Sequence, residues 1–195
     1  IPALSKEENM VLKQILEIFE LMDKPQANGK EITELLKQRG ATEVSVKTVT
    51  GELGDTDCIK ILIAGSEGKT NGGSAPTLGI IGRLGGIGAR PSLTGFVSDG
   101  DGALAAVAAG LKLSEMHANG DILKGDVIIS THICPDAPTQ DHKPVPFMNS
   151  PIDMATCNSK DVDERMDAIL AIDTTKGNKV INVNGFAISP TVKEG

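Results

Sequence analysis

The chain has no tryptophan and no tyrosine, and only four phenylalanines among its 195 residues. Aliphatic side chains must therefore fill its core. Cysteine is scarce as well: Cys58, Cys134 and Cys157 stand far apart. An odd count without a framework excludes a disulfide scaffold and points to reduced thiols in a cytoplasmic setting. There is no basic cluster, and the formal net charge of −7 excludes nucleic acid and anionic membrane as partners. No apolar run reaches membrane-spanning length, and no signal-peptide pattern opens the chain. What is present is ordinary for a globular protein, with 39% hydrophobic and 23% charged residues, and length enough for one domain with a real core. The 22 glycines imply many tight turns and close approaches.

Ser5-Lys6-Glu7-Glu8 reads as a capping box, and Leu12, Ile15, Leu16, Phe19 and Met22 recur at helical spacing on one face. Asn28 and Glu31 cap a second helix, with Ile32, Leu35 and Leu36 inward and Gly40 as its stop. This pair over residues 1–40 is packing material. From Val44 the period changes. Val44, Val46 and Val49 lie in a β-branched stretch, and buried strands are expected over Cys58–Ala64, Leu78–Ile81, Val127–Ile133 and Ala168–Ile172, with a last strand over Lys179–Ile188. A helix carrying Leu104, Val107, Ala108 and Leu111 follows Asp99 and Asp101 and precedes the Val127–Ile133 strand, and a short one is expected around Val162–Met166. A proline-rich loop spans residues 135–151. Strands alternating with helices predict one α/β domain over 1–195: a three-layer α/β/α sandwich with a largely parallel, mixed sheet.

The richest local pattern is Gly95-Phe96-Val97-Ser98-Asp99-Gly100-Asp101-Gly102, an apolar strand running into two aspartates and then a helix. Open α/β sheets place ligands at such strand ends. Two further strands end in polar clusters. One carries His132, Cys134 and Asp136, with Asp141 and His142 across the loop; the other carries Asp173, Thr174, Thr175 and Lys176. Carboxylates with imidazole suit Zn, Mn or a similar divalent ion, which activates water for hydrolysis. Gly65-Ser66-Glu67-Gly68-Lys69-Thr70 is not a phosphate loop, because Ile63 stands where its first glycine belongs and no helix follows.

Taken together, Ile80-Ile81-Gly82-Arg83-Leu84-Gly85-Gly86-Ile87-Gly88-Ala89-Arg90-Pro91, Ser98-Asp99-Gly100-Asp101-Gly102-Ala103, Thr131-His132-Ile133-Cys134-Pro135, Pro144-Val145-Pro146-Phe147-Met148, the run from Asp167 to Asn178 and the run from Ala187 to Gly195 resemble a bacterial family catalogued as domain of unknown function 1177. That resemblance implies no established activity. More distantly, the chain resembles co-catalytic two-zinc peptidases of the aminopeptidase/carboxypeptidase type. Asp99-Gly100-Asp101-Gly102 is similar to their first metal element, with Asp99 in the bridging place. Gly125-Asp126-Val127-Ile128-Ile129 is similar to the strand leading to their Glu-Glu pair, of which Asp136 alone matches, and Ile172-Asp173-Thr174 is similar to their later aspartate. Their early His-x-Asp pair is absent, with Gly65-Ser66-Glu67 near its place.

The resemblance implies a zinc-aminopeptidase-like metal-dependent hydrolase of amide or peptide bonds. Asp99 and Asp173 are expected as ligands, with His132 or His142 as substitutes for the missing ones, Asp136 as general base or ligand and Asp101 beside it. The partners expected are a small peptide or amide substrate and further copies of the chain. Three alternatives stand beside it. A degenerate, non-catalytic member would serve as a ligand-binding or assembly subunit. The pattern Asp99-Gly100-Asp101-Gly102-Ala103 also resembles that of haloacid-dehalogenase-type phosphatases, with Asp99 as nucleophile and Asp101 as acid/base. Finally, the stretch ending at Gly195 reads as C-terminally incomplete. If processing occurs there, the expectation is a second chain from the C-terminal part and an N-terminal-nucleophile amidohydrolase.

Overall fold

Alternation along β2 (Gly54–Ile63) sends its side chains to two different cores. Ile59, Ile61 and Ile63 join one cluster, whereas Leu62 joins another on the reverse face. A strand with apolar residues on both faces must be covered on both, and the computed structural model shows how. It describes residues 11–24, 26–83, 100–134, 138–141, 147–175 and 185–191.

Besides β2 the sheet contains β1 (Glu43–Gly51), β3 (Leu78–Gly82), β4 (Val127–Ile133), β7 (Ala168–Thr175) and β8 (Gly185–Thr191), in the order β1-β2-β4-β3-β7-β8. The centre, β4-β3-β7, is parallel. The β1–β2 hairpin adds antiparallel strands at one side and β8 adds one at the other. The expected mixed α/β sheet is thus present, with its parallel pairs confined to the middle, where β4 is buried along its whole length. Helices α1 (Val11–Met22), α2 (Gly29–Gln38) and α3 (Asp101–Ala118) cover one face. Helix α4 (Met154–Asp161) lies on the other, against β4 and β2, the face that also carries Leu62, Ile128, Ile169 and the buried Met166.

Helix α2 follows the sequence reading closely. The Asn28 side chain accepts from the Glu31 amide, and Gly40 ends the helix at φ +99, a left-handed conformation that glycine adopts without strain.

Three expectations are corrected. In α1 the buried residues are Gln14, Ile18 and Met22, while Leu12 and Leu16 are about half exposed at 54% and 53%. Polar partners turn that helix: Gln14 Nε2 donates to Glu115 at 2.6 Å, and Arg39 bridges Glu115 at 2.8 Å and Glu17. The short helix is α4, Met154–Asp161, rather than Val162–Met166. Asp153 caps it, accepting from Thr156 N at 2.9 Å, and Val162 is extended and 42% exposed. The loop over 135–151 carries a small ribbon, β5 (Thr139–Gln140) against β6 (Phe147–Met148). The expected strand over Lys179–Ile188 is β8 from Gly185 onward; its earlier residues, like the Ser5 capping box, lie outside the described residues.

Helix α3 is seated directly on the ends of β3 and β7. A Cβ at Gly102 would stand 2.2 Å from the Arg83 carbonyl oxygen and 2.5 Å from that of Ile172. This close approach puts the start of α3 and the C-terminal ends of β4, β3 and β7 at one edge of the sheet. No helix among the described residues is long and apolar enough to cross a membrane.

Candidate metal centre

His132 is near the end of β4, on the face opposite α3. Cys157 and Asp161 stand one turn apart on α4, so both side chains leave the helix on one side, toward the sheet. The segment that follows α4 is clamped to β2. Lys60 Nζ donates to Asp163 at 3.0 Å, and Arg165 donates to the same carboxylate at 2.9 and 3.0 Å.

The clamp can be tested by pH. The hydrogen bonds from Arg165, and then those from Lys60, hold the Asp163 carboxyl well below the usual range. A lowered value means that the stabilisation exists above the ordinary carboxylate range and is lost as pH falls through it. Asp163→Asn is expected to cost about 2 kcal/mol near neutral pH. The difference from the parent should begin to shrink below about pH 4 and vanish only below the lowered value of the folded carboxyl. Urea unfolding at both pH values checks this, and a difference independent of pH would mean that packing, not charge, holds the clamp.

The three side chains converge. Cys157 Sγ is 3.4 Å from His132 Nδ1 and 3.6 Å from Asp161 Oδ2, and His132 Nδ1 is 3.9 Å from that same oxygen. All three residues are buried, and their ligand atoms lie within 4.8 Å of one another. Zn–N bonds of about 2.1 Å and Zn–S bonds of about 2.3 Å place tetrahedral ligand atoms about 3.4–3.6 Å apart. The triangle therefore has close to the edges of a zinc tetrahedron, and nitrogen, sulfur and oxygen are the donors that zinc takes.

Arg83, just past β3, borders the group. It donates to Asn158 Oδ1 at 2.6 Å, lies 3.5 Å from Asp161 Oδ2 and touches Met154 Sδ at 2.8 Å. Burial pushes His132 down to about 4, with Arg83 adding to the effect, so the imidazole is neutral and keeps a lone pair. Burial pushes the Cys157 thiol up to about 12, and the Asp161 charge acts in the same direction. Burial also raises Asp161 to about 6, against the pull of Arg83. A neutral thiol beside a neutral imidazole is not an activated nucleophile, which needs a lowered thiol value. As a ligand set for a cation the same trio is coherent.

His132, expected as a ligand from the sequence, is in this cluster. Asp173 lies on β7, and Asp101 is the first residue of α3, both half-buried. Strand pairing aligns Ile81 with both Ser130 and Ala171, so Asp173 stands level with His132 on the same face. Strand β3 lies between them, about 10 Å of sheet. Asp99, Asp136 and His142 lie outside the described residues. Cys157, Asp161 and Arg83 were not anticipated. The Cys-x-x-x-Asp spacing is the signal that finds the first two, once the helix is placed over Met154–Asp161.

Two other features are separate from the cluster. The Gly65–Thr70 loop is filled by the chain's own Asp126, whose carboxylate takes the backbone amides of Gly65 at 2.8 Å and Thr70 at 2.9 Å. A cavity of about 720 Å³ lies beside the first turn of α4, lined by the β1–β2 turn and residues 149–153, and it includes none of the three cluster residues.

Nothing among the curated proteins matches this chain. Among solved structures, a mutant of tomato leucine aminopeptidase is similar at a TM-score of 0.44 and 15% identity, over 74% of this chain. The matched part is 31% of that enzyme's chain. A family model described as "Protein of unknown function (DUF1177)" matches residues 47–195, and the chain belongs to that family.

Proposed function

We propose that this protein is a metal-dependent hydrolase of amide or peptide bonds, with His132, Cys157 and Asp161 as ligands of one zinc-type ion. The observation that carries the reading is the buried N/S/O triangle with edges of 3.4, 3.6 and 3.9 Å. Three protein ligands leave a fourth position free, as in catalytic zinc sites. An ion bound there supplies a Lewis acid and lowers the proton affinity of water.

The chain's own residues have definable roles. Neutral His132 offers a nitrogen without first losing a proton. Asp161 supplies negative charge at the ion, and Arg83, with its side chain 22% exposed, sits between the cluster and solvent, where it would meet a developing oxyanion. Asp101 and Asp173 share this sheet edge, and Asp136 is proposed as general base. A second reading, the non-catalytic binding subunit, is favoured by one observation: the Arg83 guanidinium already provides Asp161 with a cation at 3.5 Å.

Metal binding decides between them. A saturating excess of zinc, about a hundredfold over Kd, stabilises a binder by about 2.7 kcal/mol, or roughly 5–10 °C in Tm for a chain of this size. That shift is expected for the parent protein and not for Asp161→Asn. The variant should fold, since it removes a carboxylate that burial disfavours. A parent protein whose Tm ignores zinc, manganese and cobalt alike would overturn the hydrolase reading.

A further inference from the structure

Cys58 stands directly opposite His132 in the antiparallel pairing of β2 with β4. Residues so paired project from the same face of the sheet, with Cβ atoms about 4.5–5.5 Å apart. The Cys58 side chain is thus beside the imidazole, under α4, on the face that carries the metal triangle. It is 8% exposed, and it makes no hydrogen bond to any described residue. The contrast with its neighbour on the same strand pair is informative. Cys134 has a partner, Thr56 Oγ1 at 3.3 Å, and behaves as a packed thiol. Cys58 has none, although the Asp161 charge reaches it and acts on its thiol.

We propose that Cys58 is a fourth ligand of the resting metal centre and that its departure opens the position that water needs. The proposal rests on the triangle of His132, Cys157 and Asp161 holding a zinc-type ion, and it adds a regulation of that site. The occupied resting set would be two thiolates, one imidazole and one carboxylate, a closed tetrahedron of the kind found in non-catalytic zinc sites. When Cys58 binds, its S–H bond breaks, the proton passes to solvent and a metal–sulfur bond forms. When it leaves, the sulfur takes a proton back and the coordination position is free. No oxidant or reductant is needed. Cys58 is not among the residues whose ligand atoms lie within 4.8 Å of one another, so the exchange requires its side chain to turn about the Cα–Cβ bond toward His132, beside which the strand pairing fixes its backbone.

Cobalt substitution of the full chain reads the number of thiolates directly, since each bound thiolate contributes sulfur-to-cobalt charge-transfer absorption in the near ultraviolet. The parent protein, Cys58→Ser and Cys157→Ser are compared at saturating cobalt. The expected result is that each single variant keeps about half of the parent band, as one of two sulfur ligands is lost. A Cys58→Ser variant with the full band, beside a Cys157→Ser variant with none, would overturn the latch and leave the three-ligand centre standing. No band in the parent protein would overturn both. Should either variant fail to fold, native-state alkylation of the parent followed by mass analysis of each cysteine answers the question. Zinc is expected to slow labelling of Cys58 and Cys157 by about tenfold or more, leaving Cys134 as the unchanged reference. Labelling of Cys58 that zinc leaves unchanged would overturn the proposal.

Discussion

Asp126→Ala is expected to destabilise the protein by about 3–5 kcal/mol. The carboxylate is 3% exposed and sits at the entrance to β4. Its Oδ1 accepts from Gly65 N at 2.8 Å, and its Oδ2 accepts from Thr70 N and Thr70 Oγ1, each at 2.9 Å. Gly68 is folded so tightly over it that a Cβ there would stand 1.8 Å from Oδ1. One side chain therefore organises the whole turn from Gly65 to Thr70. Hydrogen bonds to a charged group contribute about 1.5–3 kcal/mol each, and truncation also leaves buried amides without an acceptor.

Burial by itself would raise the Asp126 value, but the bonds from Gly65 and Thr70 outweigh it, and the net shift is downward. Its stabilisation is therefore full above the ordinary carboxylate range and lost as pH falls through it. Urea midpoints of parent and variant at neutral and acid pH measure both effects. A loss under about 1 kcal/mol would mean that the loop does not depend on its carboxylate. The same geometry agrees with the sequence in making this stretch no phosphate loop, because the acceptor that it surrounds is already part of the chain.

Gly102→Ala is expected to lower Tm by about 10 °C, the equivalent of about 3–4 kcal/mol at this chain length. Alanine in the first turn of a helix ordinarily helps, by up to about 1 kcal/mol over glycine. Here the sign reverses, since the new methyl would meet two backbone oxygens, of Arg83 at 2.2 Å and Ile172 at 2.5 Å. Backbone at a strand end cannot yield as a side chain can, so α3 must lift from β3 and β7. Gly110→Ala in the same helix is the control. Its methyl would meet Ile61 Cδ1 at 2.5 Å, the far end of a side chain that can turn away. Calorimetry should show the Gly102 variant much the weaker of the two. Equal midpoints would show that α3 is not seated on the strand ends. Because Arg83 follows the same strand, a lifted α3 also displaces the guanidinium that borders His132, Cys157 and Asp161.

The local elements were legible wherever the information was local. The β-branched runs at Ile59–Ile63 and Val127–Ile133 form strands, since apolar residues on both sides of a pleat demand cover on both faces. The bounds of α2 were legible because Asn28, Glu31 and Gly40 act within one turn of themselves. His132 at the end of a buried strand was legible as a polar group in a place where polarity needs a reason.

Tertiary contact decided the rest. The buried face of α1 depends on Gln14 reaching Glu115, 101 positions along, and apolar periodicity does not count a glutamine as inward. Helix α4 was misplaced because Val162 and Met166 imitate helical spacing, while the true start is an Asp153 cap whose value depends on the loop before it. Above all, the sequence displays aspartates at three strand ends, yet the buried triangle of His132, Cys157 and Asp161 draws one residue from a strand and two from the helix laid across it. Chain order carries no record of which helix covers which strand end. The packing of α4 on β4 and β2 brings Cys157 and Asp161 to His132, and the antiparallel register of β2 sets Cys58 beside them.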